Sequence, residues 1–379
     1  MPGLLPDVDP DGLLEFSVVY TDRALNHMSQ RFQRVMRDIS ALFSEVYGAH
    51  AMAIVPGSGS FGMEAVARQF AGDQDVLVLR NGFFSYRWSQ ILEQGRLTAP
   101  QRITVLKAQR TGEGAQAPWM PAPIAEVEAA IARARPGVVF APHVETASGV
   151  LLPEEYMQRV AAATHAVGGL FVLDCVASGA LWVDMRAVDA DVLITAPQKC
   201  WSSPPGSALI GFSERGLAAL EQTTSSSFAA DLKRWRNIMQ AYENGSHAYH
   251  ATMPTTALVV LRDTMLETRA IGFNTVRAQQ VELGRKVRAL LESRGLPSVA
   301  AEGYQSAGVV VSYTTNPDIQ SGKAFVEAGL QTASGVPLMC DEPADFRTFR
   351  LGLFGLDKWA NIDRCVGQLA AALDRIGVR

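Results

Sequence analysis

Cysteine is scarce: Cys175, Cys200, Cys340 and Cys365 are the four in 379 residues, and no two are spaced Cys-x-x-Cys. A chain of this length needs no disulfide framework, and the spacing offers neither a zinc ribbon nor a dithiol redox motif. A reduced setting, the cytoplasm, is the expectation. Also missing is any apolar run approaching the roughly 20 residues that span a bilayer. The opening stretch MPGLLPDVDPDGLLEF has no basic residue and three aspartates, which argues against a secretory signal. Positive charge is not in excess either. Lys and Arg number 34 against 38 Asp and Glu, a formal net charge of −4, so no footprint for nucleic acid is expected. Internal repeats and low-complexity linkers are absent.

What is present is a large apolar fraction, 48% against 19% charged, which suits a globular protein with a substantial core. At roughly 100–200 residues per domain, two domains are expected. Residues 1–22 read as a loose arm rich in Pro, Asp and Gly. From Arg23 to Val46 apolar residues recur at helical spacing. Short β-rich runs follow at Ala51–Val55, Val76–Leu79, Ile103–Leu106, Val138–Phe140, Leu170–Leu173, Val192–Thr195 and Ala208–Phe212. Helical stretches such as Met63–Phe70, Ile124–Ala134 and Pro153–Ala166 lie between several of them. This alternation predicts an α/β fold with a mostly parallel sheet over residues 23–258. Helical periodicity from Thr256 through Arg294, broken near Gly272, then Gly308–Tyr313, Lys323–Ala328, Thr348–Leu353 and Ile362–Ile376, predicts a smaller α+β domain over 259–379.

Gly57-Ser-Gly59-Ser-Phe-Gly62 follows a strand and opens a helix. Glycines let the backbone approach a phosphate, and free N–H groups at a helix start attract its charge. The loop is either a phosphate cradle or a plain strand–helix turn. A dinucleotide site would also want an acidic residue after Val76–Leu79, where Arg80 and Asn81 stand instead. Arg80 leaves room for a phosphorylated ribose, but Ser58 and Ser60 suit a single terminal phosphate at least as well.

Two later strand ends carry more information. Phe171–Asp174 is an apolar strand that stops on a carboxylate, and Val192–Thr195 leads into Gln198-Lys199. The carboxyl ends of parallel strands face the ligand crevice, so Asp174 and Lys199 are expected to share a site. Alone, Asp174 reads as a turn cap and Lys199 as a solvated loop lysine. Together they supply what pyridoxal-phosphate chemistry requires: a carboxylate that keeps a pyridine nitrogen protonated and an amine that condenses with an aldehyde.

At this point the chain resembles the class V aminotransferases of fold type I, in particular the alanine–glyoxylate and serine–pyruvate group. The resemblance runs from about residue 25 onward. It rests on GSGSFGMEA (57–65), NGFFSYRW (81–88), HVETASG (143–149), VLDCVASGA (172–180), TAPQKCWSSPPG (195–206), YHATMP (249–254) and FRLGLFG (349–355). It implies pyridoxal 5'-phosphate bound as a Schiff base on Lys199, with Asp174 on the ring nitrogen. By the same resemblance Ser58, Gly59, Ser60 and Gln198 hold the phosphate. Phe84 and Val176 cover the two ring faces, and Thr146 reaches the phenolic oxygen. Tyr249 and Thr252 are implied to reach the phosphate of a neighbouring subunit, hence a homodimer with shared active sites. Arg350 is implied to clamp a substrate α-carboxylate.

Two departures stand out. The group usually begins with a Gly-Pro-rich segment, where this chain has FSVVYTDR (16–23), and its phosphate loop carries the bulky Phe61. The expected activity is ping-pong transfer of an amino group from a small α-amino acid to a 2-oxo acid such as glyoxylate or pyruvate. Alternatives are a lyase or desulfurase using Cys340, or a non-standard amine donor such as an aminophosphonate or a pyridoxamine-like compound. His143-Val-Glu145 resembles half of a zinc deaminase motif, but no Pro-Cys-x-x-Cys follows, so no metal is expected. His250 and Cys200 read as structural, His27 as a surface residue near the substrate mouth, and Asp341-Glu342 as a solvated loop pair.

Overall fold

The computed structural model describes residues 7–10 and 12–378. Seven of the apolar runs form one sheet: β1 (Ala51–Pro56), β2 (Val76–Arg80), β3 (Ile103–Lys107), β4 (Val138–Pro142), β5 (Leu170–Asp174), β6 (Val192–Thr195) and β7 (Ser207–Phe212). Their order across the sheet is β1-β7-β6-β5-β4-β2-β3. Strands β2 to β6 pair in parallel, and β7 lies antiparallel between β6 and β1. Every residue of β2, β4, β6 and β7 is buried. That is why these strands read as continuous apolar runs without alternation: helices cover both faces of a parallel sheet.

The first helix, α1 (Gln30–Tyr47), begins seven residues later than its periodicity suggested. Ser29 sets the start, its hydroxyl accepting the Phe32 N–H at 3.1 Å, and Met28 is left 41% exposed outside the apolar stripe. Conversely α2 (Gly59–Phe70) starts four residues before Met63, inside the glycine loop. The helix α3 (Phe83–Gln94) was not anticipated. It is pinned to the sheet by Trp88, fully buried and stacked on Phe140 of β4 with ring centroids 4.1 Å apart. Removing a core indole of this kind costs about 3–5 kcal/mol, so the pose of α3 is firmly set.

Two long helices follow, α4 (Thr255–Ile271) and α5 (Phe273–Ser293), broken at Gly272, whose φ of 101° suits a residue without a side chain. Helix α4 runs through position 258, so a division there falls within a helix. Beyond α5 a three-stranded antiparallel sheet is ordered β8 (Val309–Tyr313), β10 (Thr348–Gly352), β9 (Ala333–Ser334). The last helix, α6, covers Ile362–Ile376 as anticipated.

Candidate active site

The C-terminal ends of β4, β5 and β6 open on a cavity of about 110 Å³. Its walls include Ser58, Gly59 and Ser60 from the loop after β1, Phe84 and Arg87 of α3, Thr146 after β4, Asp174 and Val176 at the end of β5, and Gln198 and Lys199 after β6. Nine residues singled out in the sequence thus converge on one space. Gly59 belongs there for a steric reason: a β-carbon on it would lie 2.8 Å from Val176 Cγ2. Gly57 has φ 125°, and its missing side chain leaves room for the ring of Phe61, which is 59% exposed and stays clear of the cavity walls.

Asp174 is the last residue of β5 and is buried. Its Oδ1 accepts the Val176 N–H at 2.9 Å. Burial pushes its carboxyl up to about 6, with Glu145 adding to the rise and Lys199 and Arg87 opposing it. Lys199 sits in the single helical turn Pro197–Cys200. Burial lowers its amine; Asp174 counters this, while Arg87 and Arg350 push the same way as burial. A lysine lowered in this manner spends more time as the neutral nucleophile.

These residues fit a flat ring bearing a phosphate and an aldehyde. The buried Gln198 Oε1 has no hydrogen-bond partner among the described residues. The start of α2 presents unpaired backbone N–H groups beside Ser58 and Ser60. Arg350, on β10, holds Ser334 O through Nε at 2.8 Å and lies 5.4 Å from the Phe84 ring centre. Tyr249 and Thr252 are elsewhere. They bond to each other at 3.3 Å, Tyr249 is 54% exposed, and neither lines this cavity.

Two residues not assigned to the cofactor site from sequence shape it. Glu145, fully buried, accepts the N–H groups of Phe84 at 3.2 Å, Ser85 at 2.9 Å and Ala147 at 2.9 Å, and the Ser85 hydroxyl. It therefore caps α3 from a distant segment and sets where Phe84 points. Arg87, one turn on from Phe84, donates from Nη1 to Ser60 Oγ at 2.9 Å. The spacing Phe84-x-x-Arg87 places both on one helical face, a signal available once residues 83–94 are taken as a helix.

The other candidates have ordinary roles. Arg80 donates to Met339 O and to Ser89 Oγ, away from any ribose. Cys200 is buried, accepting from Thr195 Oγ1 at 3.1 Å. Cys340 is buried, its thiol bonded to Arg80 O and pushed up to about 12. His143 is buried against Ser178 Oγ at 2.7 Å and pushed down to about 3 by burial. His250 bonds Phe228 O and packs on Trp235. His27, expected at the surface, is instead buried among the rings of Tyr20, His247 and Tyr249. The expectation of a solvated Asp341-Glu342 pair holds only for Asp341, which pairs with Lys107 at 2.7 Å. Glu342 instead gathers the N–H groups of Leu338, Met339 and Cys340, so it orders its own loop. Among the described residues no cluster of His, Cys, Asp and Glu is arranged to hold a metal.

The family profile "Aminotransferase class-V" matches residues 14–335. Similar curated proteins include a "Soluble hydrogenase, small subunit" of Synechococcus sp., 25% identical, covering 93% of this chain and 88% of that one. The alanine–glyoxylate aminotransferase of Felis catus is 26% identical, covering 93% and 82%. A 2-aminoethylphosphonate–pyruvate transaminase of Paraburkholderia xenovorans is 27% identical, covering 92% and 90%. Among solved structures, the alanine–glyoxylate aminotransferase of Nostoc sp. superposes with a TM-score of 0.77 at 19% identity, covering 92% and 88%. The profile spans most of the chain, the fold matches, and the cavity suits the cofactor: this chain belongs to the class V aminotransferases, pyridoxal-phosphate enzymes of fold type I.

Proposed function

We propose that the protein moves an amino group from a small α-amino acid, of the size of alanine or serine, to a 2-oxo acid such as glyoxylate or pyruvate in a ping-pong sequence. The observation that carries this reading is the placing of Asp174 and Lys199 on neighbouring strand ends, facing one cavity beside a glycine loop. Bound there, pyridoxal phosphate supplies an aldehyde that condenses with amines and a ring that withdraws electrons from the substrate α-carbon. Lys199 Nζ would be the amine that holds the aldehyde and, once free, the base that takes the proton from the donor's α-carbon. Asp174 holds a proton on the ring nitrogen. Ser58, Gly59, Ser60, Gln198 and the N-terminus of α2 hold the phosphate. Phe84 and Val176 take the two ring faces, Thr146 the phenolic oxygen, and Arg350 the substrate carboxylate through two parallel hydrogen bonds.

Tyr249 and Thr252 are assigned to the phosphate of a second copy, in a homodimer with shared sites. Their exposure, and their absence from the walls of their own chain's cavity, support this. So do Leu13, Phe16 and Val18, apolar and largely bare, with Leu13 and Phe16 each 88% exposed. A cytoplasmic location fits the four free cysteines. No helix among the described residues is long and apolar enough to cross a membrane. Two domains, each with its own sheet, remain the organisation we favour, with the passage between them along α4. A desulfurase is disfavoured because Cys340 is buried, bonded and held protonated.

The test is a panel of amines added to the cofactor-loaded protein under single-turnover conditions. Alanine or serine should discharge its visible absorbance with release of the matching oxo acid. Discharge by an aminophosphonate or pyridoxamine alone would overturn the donor. Failure of borohydride to fix the cofactor on Lys199 would overturn the site.

A further inference from the structure

We propose that Arg87 is a direct ligand of the cofactor phosphate, completing a cup that the glycine loop only half builds; this rests on the reading of the cavity as a pyridoxal-phosphate site. The geometry points to an anion. The guanidinium carries five N–H donors, and its one hydrogen bond among the described residues is to Ser60 Oγ at 2.9 Å. No carboxylate among them pairs with it. It is nonetheless held in place, partly buried, with its carbon 4.6 Å from the Phe84 ring centre. A cation fixed against an aromatic face, beside a hydroxyl of the phosphate loop and aimed into a cavity, is pre-arranged for an acidic guest.

Charge balance agrees. The loop itself offers the phosphate only hydroxyls, backbone N–H groups and the partial charge of a helix start. A dianion withdrawn from water needs a full positive charge close by. Lys199 is committed to the aldehyde, and Arg350, bonded to Ser334 O on the adjacent strand β9, is assigned to the substrate carboxylate. Arg87 is the cation beside Ser60. Its bond to that hydroxyl uses an oxygen lone pair and leaves the Ser60 proton free to donate to the same phosphate.

The experiment compares pyridoxal 5'-phosphate with pyridoxal, which lacks the phosphate, by equilibrium binding to the apo full-length protein. Variants are Arg87→Gln and Arg87→Lys, with near-ultraviolet circular dichroism to establish that each is folded. Losing a charge-assisted contact should weaken pyridoxal phosphate by about 10- to 100-fold in Arg87→Gln. Pyridoxal binding should be unchanged, and Arg87→Lys should recover part of the difference. Equal weakening of both compounds would overturn the proposal, because Arg87 would then act on the ring through Phe84. So would unchanged cofactor binding with a raised KM for the amino donor, which would assign Arg87 to substrate. Wild-type protein that binds neither compound would overturn the underlying cofactor reading instead.

Discussion

The Ser85 hydroxyl donates to Glu145 Oε2 across 2.6 Å, and this bond belongs to a buried cap that joins α3 to the segment following β4. Three backbone N–H groups share the same carboxylate. Glu145→Gln would set an NH₂ group against donors that need an acceptor. Leaving such donors unmatched should cost on the order of 2–4 kcal/mol in urea unfolding. It should also weaken cofactor binding, because Phe84 loses its fixed pose. Ser85→Ala removes one donor to the carboxylate and also the acceptor of the buried Asn81 and Gly82 N–H groups, at 2.9 and 3.1 Å, so it should cost about 1–3 kcal/mol. Equal stability of Glu145→Gln and wild type would show that the cap is not holding α3.

Asp174 gives a pH-dependent prediction in the apo protein. Its folded carboxyl is raised to about 6 by burial, above the ordinary 3.8. Ionising it therefore penalises the folded state. The penalty is absent below the unfolded value, grows as pH rises towards 6, and is complete above that. Asp174→Asn keeps an acceptor for Val176 N–H and has no charge to bury. The apo variant should be more stable than wild type by on the order of 2 kcal/mol at pH 8 and no more stable at pH 3.5. Thermal melts at the two pH values would check this. Transamination by the variant should collapse at every pH.

Cys340→Ala should leave transamination intact and yield no sulfide from cysteine in either protein. The thiol is sealed under the loop that Glu342 orders, and its pKa, pushed up to about 12, keeps it protonated at neutral pH. Sulfide release that disappears in the variant would restore the desulfurase reading.

The shared-site arrangement has its own test. Lys199→Ala removes the amine of one site, and Tyr249→Ala with Thr252→Ala removes what a chain lends to its neighbour. Each protein alone should be nearly inactive. Mixed after mild dissociation, random pairing makes half of the dimers hybrid with one intact site each, so about a quarter of wild-type activity should return. No recovery, with hybrids present by native mass spectrometry, would place all of these residues in one site.

The strand ends were readable in the residues because carboxyl ends of parallel strands converge, which brought Asp174 and Lys199 together from 25 positions apart. The glycine loop was readable because backbone freedom and close packing need that residue type. Helix α3 was not. Its N-cap position is Gly82, which has no side chain to announce a helix start. The N–H groups of Phe84 and Ser85 go to a remote glutamate, and the helix's apolar residues, anchored by Trp88 on Phe140, make only a narrow stripe. Without a visible helix over 83–94, nothing in the residues themselves sets Phe84 and Arg87 on one face. The start of α1 was misplaced for the opposite reason: a local cap, Ser29, overruled a periodicity that ran on beyond it.

Asp174 pairs with Ile194 in the β5–β6 ladder. Side chains alternate sides along a strand, so a shift of one position would turn the carboxylate to the opposite side of the sheet. Turnover after refolding therefore requires this pair of strands to close in register, and chains that collapse out of step should be compact yet inert.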